Sequence, residues 1–108
     1  MPVREITTMD EFREVIDKDT PSVFDFCADS CASCKRISPN FDHLAEATQG
    51  PDFYKVNVDT LPDAAVEVGI YNMPTFMAFK GGAKMEELIG GQPERLEALV
   101  QRAAQMHH

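Results

Sequence analysis

At 108 residues the chain has the length of one domain, able to bury roughly 60 to 70% of its unfolded surface around one core. A formal charge of −8, from 18 acidic against 10 basic residues that nowhere cluster, argues against nucleic acid or anionic membrane as partners. No run approaches the ~18 apolar residues of a membrane span and no apolar stretch follows a basic start, so a soluble, unsecreted protein is expected.

Val3 to Thr7 reads as a short first strand. Thr8-Met9-Asp10-Glu11 then has capping-box form, with Met9, Phe12 and Ile16 on one helical face, and Thr20-Pro21 ends the unit. Ser22-Val23-Phe24-Asp25-Phe26 is β-branched and aromatic, as a buried strand would be. The helix after it carries Ile37, Phe41, Leu44 and Ala45 at helical spacing and is bent by Pro39; it is expected to close at Gln49-Gly50-Pro51 with glycine at C′. Phe53 to Val58 reads as a third strand, and Thr60-Leu61-Pro62-Asp63 opens a short helix that Gly69 stops. Thr75 to Lys80 is a fourth strand, joined through the Gly81-Gly82 turn to a fifth, Lys84 to Ile89. Pro93 begins a last helix with Leu96, Leu99, Val100 and Ala103 on its buried stripe. His107 and His108 are set aside as a tail, a candidate tag remnant, leaving a single domain over 1–106. Alternating strands and helices followed by a hairpin predict an α/β fold: a mixed sheet of five strands flanked by four helices.

All three cysteines fall within eight positions, Cys27 to Cys34, at the junction of the second strand and the following helix. An odd number so packed is no disulfide framework of a secreted mini-protein, and a reducing compartment, the cytosol, is the expected location. Cys31 and Cys34 open the helix, where a three-residue spacing puts both sulfurs on one face within reach of a disulfide. Free N–H groups and the positive dipole end favour thiolate there, and Lys35 adds a cation. Haem attachment wants a histidine where Lys35 stands. A zinc site wants four ligands, yet His43, the only internal histidine, lies roughly 13 Å further along the helix axis and reads as solvated. Thiol exchange needs an exposed attacking thiolate, which suits Cys31 at the helix tip, and a more buried resolving thiol, which suits Cys34. Taken alone, Asp25 is either a wet strand-edge acid or a desolvated one with a raised pKa, and Met73-Pro74 is by base rate a trans bond entering a strand.

The segment Asp25-Phe26-Cys27-Ala28-Asp29-Ser30-Cys31-Ala32-Ser33-Cys34-Lys35, followed by Pro39, resembles the active-site segment of thioredoxins, Asp-Phe-Trp-Ala-x-Trp-Cys-Gly-Pro-Cys-Lys with a proline five residues on. Lys55-Val56-Asn57-Val58-Asp59, Gly69-Ile70, Met73-Pro74-Thr75 and Gly90 fall in that family's order and spacing, so the resemblance spans about residues 3 to 104. It implies the thioredoxin-like fold and a thiol–disulfide oxidoreductase cycling through Cys31 and Cys34, with no bound cofactor or metal. Electrons would come from NADPH through a thioredoxin reductase, and the partners would be disulfide-containing client proteins met by a monomer. It also implies that Asp25 is a buried base with Lys55 as its partner. Met73-Pro74 would be a cis-proline loop facing the cysteines, where the backbone of Met73 pairs with an extended client segment and Gly90-Gly91 leave it room. Ser30, Ala32 and Ser33 would complete the client-binding surface.

The departures are specific. Both family tryptophans are absent, replaced by Cys27 and Ser30, and the central Gly-Pro is Ala32-Ser33. Loss of the platform at Ser30 is expected to weaken or redirect docking. Cys27 is read as a buried small hydrophobe, with neighbouring bulk filling the space of a tryptophan; the sharper alternative is a third redox thiol that captures an oxidised Cys31 or Cys34. Two rival functions stay open: a redox-sensing or binding module with weak catalysis, and a metal or iron–sulfur binder using Cys27, Cys31 and Cys34.

Overall fold

The computed structural model describes residues 2–106, so the tail expected at 107–108 lies outside the described residues. The elements run β1 (Val3–Glu5), α1 (Met9–Ile16), β2 (Ser22–Cys27), α2 (Ala32–Ala47), β3 (Asp52–Asn57), α3 (Pro62–Val68), β4 (Thr75–Lys80), β5 (Ala83–Ile89) and α4 (Pro93–Ala104). The strand order is β1-β3-β2-β4-β5. β1, β3 and β2 are parallel, whereas β4 and β5 are antiparallel to their neighbours, which is the expected mixed sheet.

Strand alternation splits the core into two layers. Phe24 and Phe26 point to one face, where they meet Phe12, Tyr54, Met77 and Phe79 under α1 and α3. Val23 points to the other, with Phe53 and Phe76, against Ile37 and Phe41 of α2 and Leu96 and Leu99 of α4. Phe12, Phe24, Phe26, Phe41 and Phe76 are fully buried, each removal from water contributing about 1.5–3 kcal/mol. Asp25 shares the face of Val23, so a carboxylate enters the apolar layer under α2.

Local chemistry sets the element ends. Thr8 caps α1 by accepting the Glu11 N–H through its Oγ1 at 3.2 Å. α2 ends earlier than expected: Thr48 is already extended (φ −114°, ψ 126°), so Gly50 is not its C′ residue but a bend at φ +110° before β3. Pro39 inside α2 supplies no N–H to the carbonyl one turn back. In the β4–β5 turn, the Gly81 N–H donates to Lys18 O at 2.7 Å and the Gly82 N–H to Ile16 O at 2.8 Å. The last carbonyl of α1 and that of Lys18, just past its cap, thus find partners from a distant hairpin.

Candidate active site

Cys31 is the N-cap of α2 in an extended conformation (φ −88°, ψ 106°), and its Sγ accepts the Cys34 N–H at 3.1 Å. Cys31 and Cys34 are joined in a disulfide with a Cα–Cα separation of 5.2 Å. Cys31 is half-buried and flanked by exposed Ser30, Ala32 and Ser33, whereas Cys34 is only 4% exposed. The two sulfurs therefore differ in access, one at the tip of the helix and one on its inner face.

The loop leading to Cys31 is fixed by a network the sequence reading missed. Asn57 Nδ2 donates to Asp29 Oδ1 at 2.8 Å, the Asp29 N–H to Asp59 Oδ2 at 2.9 Å, and the Asp59 N–H to Asn57 Oδ1 at 2.9 Å. The Val58 N–H reaches Cys27 O at 2.8 Å and the Cys31 N–H reaches Ala28 O at 3.2 Å. The end of β3 thus clamps the turn that presents the disulfide. The only signal in the sequence was Asn-x-Asp after an apolar strand, a local turn former.

Beside the disulfide, the Met73–Pro74 peptide is cis. Pro74 O accepts the Gly90 N–H at 2.9 Å, and a Cβ placed on Gly91 would stand 3.6 Å from Pro74 Cγ and 3.7 Å from Ser33 O. The glycine pair thus lies against both the proline and the Cys-Ala-Ser-Cys turn. Gly90 sits at φ +111°, where a side chain would be strained and would press on Gln92. Among the described residues, Met73 makes no backbone hydrogen bond.

Asp25, which lines the same cleft as Cys34, is 1% exposed, with Oδ1 buried and unpartnered. Burial pushes its carboxyl up to about 7, opposed by nearby Lys55 and assisted by Asp42. Cys27 shares this face of β2. Its thiol is pushed up to about 11, chiefly by burial and then by the Asp25 charge, and its Sγ is directed at Val56 O at 3.7 Å. An open cleft of about 680 Å³ runs between α2 and the strands, with Asp25, Cys27, Cys34 and Lys55 in its walls. A smaller one of about 330 Å³, bounded by His43 and Glu97, contains no cysteine. His43 is exposed, and among the described residues no group of three or more His, Cys, Asp or Glu is arranged to hold a metal ion.

The family model for thioredoxin matches residues 3–102. Thioredoxin-1 of Schizosaccharomyces pombe is 37% identical over 98 residues, covering 91% of this chain and 95% of that protein. The thioredoxin of Malassezia sympodialis is 40% identical, with 91% and 95% covered. A crystal structure of Malassezia sympodialis thioredoxin superposes with a TM-score of 0.91 at 38% identity, covering 94% of this chain and 90% of that one. A Plasmodium falciparum thioredoxin structure gives 0.88 at 29% identity, covering 92% and 97%. With its mixed five-stranded sheet and a cysteine pair capping the helix after β2, this chain belongs to the thioredoxin family and is a thiol–disulfide oxidoreductase.

Proposed function

We propose that the protein reduces disulfides of client proteins through a Cys31/Cys34 cycle. The observation that carries this reading is the Cys31–Cys34 disulfide at the tip of α2, with Cys34 and a buried acid, Asp25, whose Oδ1 is free, in the walls of one cleft. The reduced Cys31 thiolate attacks a client disulfide, forming one mixed disulfide and releasing one client thiolate. Asp25 takes the Cys34 proton; the Cys34 thiolate attacks Cys31 Sγ, closes the Cys31–Cys34 bond and expels the second client sulfur. Two electrons pass to the client, and two return from NADPH through a thioredoxin reductase. Lys55 tunes the charge on Asp25. Met73, beside Pro74, offers its backbone to an extended client segment, with Gly90 and Gly91 giving clearance and Ser30, Ala32 and Ser33 forming the rest of the contact surface. The protein acts as a monomeric single domain in the cytoplasm, in cell redox homeostasis.

NADPH-coupled turnover of insulin disulfides in the presence of a thioredoxin reductase tests the reading: sustained NADPH oxidation is expected. A protein that is oxidised and reduced stoichiometrically but never turns over would instead fit the redox-sensing module, a reading favoured by one observation, the replacement of the exposed platform by Ser30.

A further inference from the structure

The cis Met73–Pro74 peptide has two banks, and they differ in chemistry. On the side of α2, Pro74 lies against Gly91 and, beyond it, the Ser33 carbonyl; the turn that carries the disulfide adds only Ser30, Ala32 and Ser33 around Cys31. None of these is a large apolar side chain. On the side of α3, Tyr71 leads into the loop and is 89% exposed, although Ile70 just before it packs against the layer under α1 and α3. Thr75 Oγ1 donates to Asn72 O at 2.5 Å and closes the loop between them on itself.

Ile89 reaches the same bank from β5. It pairs with Thr75, the residue after Pro74, and Gly90 next to it donates its N–H to Pro74 O. Strand alternation puts Ile89 on the face of Met77, yet the apolar layer on that face includes no residue of β5, and Ile89 is 56% exposed. Four large apolar side chains are exposed among the described residues. Val66 stands on the outer side of α3, two residues from buried Ala64, and Met85 lies at the bulge toward the other end of β5. The remaining two, Tyr71 and Ile89, come from separate elements and flank one proline. A lone exposed apolar residue is ordinary, whereas two that converge beside a reaction centre mark a contact surface. This surface is continuous with the cis-proline loop and the disulfide, so its occupant is the chain being reduced.

We infer that Tyr71 and Ile89 set the client preference of this protein: they hold an aromatic or branched aliphatic side chain that an extended client segment carries within about two residues of its reacting cysteine. Successive residues of such a segment advance about 3.3 Å, so a side chain two positions away is carried about 7 Å past the cysteine, onto this bank. Tyrosine suits the role, since its rigid ring offers a large area at little cost in conformational freedom. The inference rests on the client-reduction reading above and leaves its chemistry unaltered, with Cys31 as the attacking sulfur. The apolar contact that Ser30 does not supply at the helix tip is thereby moved to the proline side of the disulfide.

Two peptide disulfides test it, the homodimers of acetyl-Phe-Gly-Cys-Gly-Phe-amide and acetyl-Ser-Gly-Cys-Gly-Ser-amide. Each is mixed with excess pre-reduced protein, and the released peptide thiol is followed by reversed-phase chromatography after acid quenching. Dividing each rate by that of dithiothreitol with the same peptide removes intrinsic reactivity. The wild type is expected to favour the phenylalanine peptide about fivefold or more, and Tyr71→Ser/Ile89→Thr to bring the ratio within about twofold of unity. Val66→Ser, which removes an exposed apolar side chain elsewhere, should keep the wild-type ratio. Equal rates for the wild type, a preference that survives the double variant, or one lost equally in Val66→Ser would overturn the inference. If the double variant does not fold, Tyr71→Ser alone decides, an unchanged ratio counting against it. Size-exclusion chromatography showing a wild-type dimer that the double variant dissolves would assign the patch to a second copy of the chain and overturn it as well. Bis(2-hydroxyethyl) disulfide, which has no side chain to dock, separates the two readings: its reduction by the wild type without any peptide preference sinks this inference alone, and no reduction sinks the dithiol reading with it.

Discussion

Asp25 and Lys55 stand opposite one another in register on β2 and β3, yet they do not form an ion pair: the ammonium of Lys55 donates to Ser38 Oγ at 3.4 Å, and Asp25 Oδ1 has no partner. A carboxyl so placed is desolvated more than it is compensated. It is held near neutrality, at about 7 instead of its ordinary 3.8, with Lys55 moderating the rise and not cancelling it.

That shift has a sign in stability. The folded state holds the Asp25 proton more tightly than the unfolded chain does, so its contribution is fully present below the unfolded pKa of about 4 and is lost as pH rises through about 7. Asp25→Asn should therefore be more stable than wild type at pH 8, by up to roughly 4 kcal/mol as an upper bound, and nearly equal to it well below about pH 4. Urea midpoints across that range check it. The same variant should slow the resolving step and lose the pH dependence of single-turnover rates between about pH 6 and 9. Unchanged rates would leave Asp25 a structural residue.

Unequal access of the two sulfurs predicts unequal variants. Cys31→Ser should abolish reduction of protein disulfides, because the half-buried tip of α2 is where a folded client can reach. Cys34→Ser should instead accumulate a client mixed disulfide on Cys31, visible on non-reducing gels. Substantial insulin turnover by Cys31→Ser would reverse the assignment.

For Cys27, burial and the Asp25 charge leave almost no thiolate at neutral pH, the thiol being pushed up to about 11, and its Sγ is turned toward Val56 O. Oxidation follows the thiolate. Mass spectrometry after mild peroxide should accordingly find the Cys31–Cys34 linkage, with Cys27 unmodified until the protein is denatured. A Cys27-containing disulfide in the folded monomer would make it the third redox thiol after all.

Ser30 is exposed next to Cys31 and offers a client little apolar area. Ser30→Trp should lower KM for insulin severalfold, about 1 kcal/mol of added contact, with kcat little changed. A fall in kcat with KM unmoved would mean that the serine acts on the sulfur and not on docking.

Periodic features were legible in the sequence. The stripe Leu96, Leu99, Val100 and Ala103 is buried as the helical spacing predicts, and β4 runs from Thr75 to Lys80 as read. The end of α2 differs from the expectation because Gly50, the glycine that suits a C′ position, comes after the chain has already turned extended at Thr48 to enter β3. The cysteine pair and the apolar run around Asp25 are local patterns and could be seen. The clamp of Asp29 by Asn57 and Asp59 could not, since it joins residues 28 and 30 positions apart. Nor could the cleft, whose walls come from β2, β3 and α2 together; a sequence shows which side chain is present but not whether its neighbours close over it.

The hydrogen bonds from Gly81 and Gly82 to the end of α1 give the hairpin a part in holding a helix it never follows in sequence. This turn lies at the far end of β4 from Pro74, and a glycine-rich surface turn distant from the chemistry looks like a natural place to splice in a reporter domain. Here the splice would loosen the end of α1, because the Ile16 and Lys18 carbonyls would lose donors that no neighbour in α1 can replace, and α1 carries Phe12 and Val15 into the core. An engineer seeking a permissive insertion point should look elsewhere on this surface.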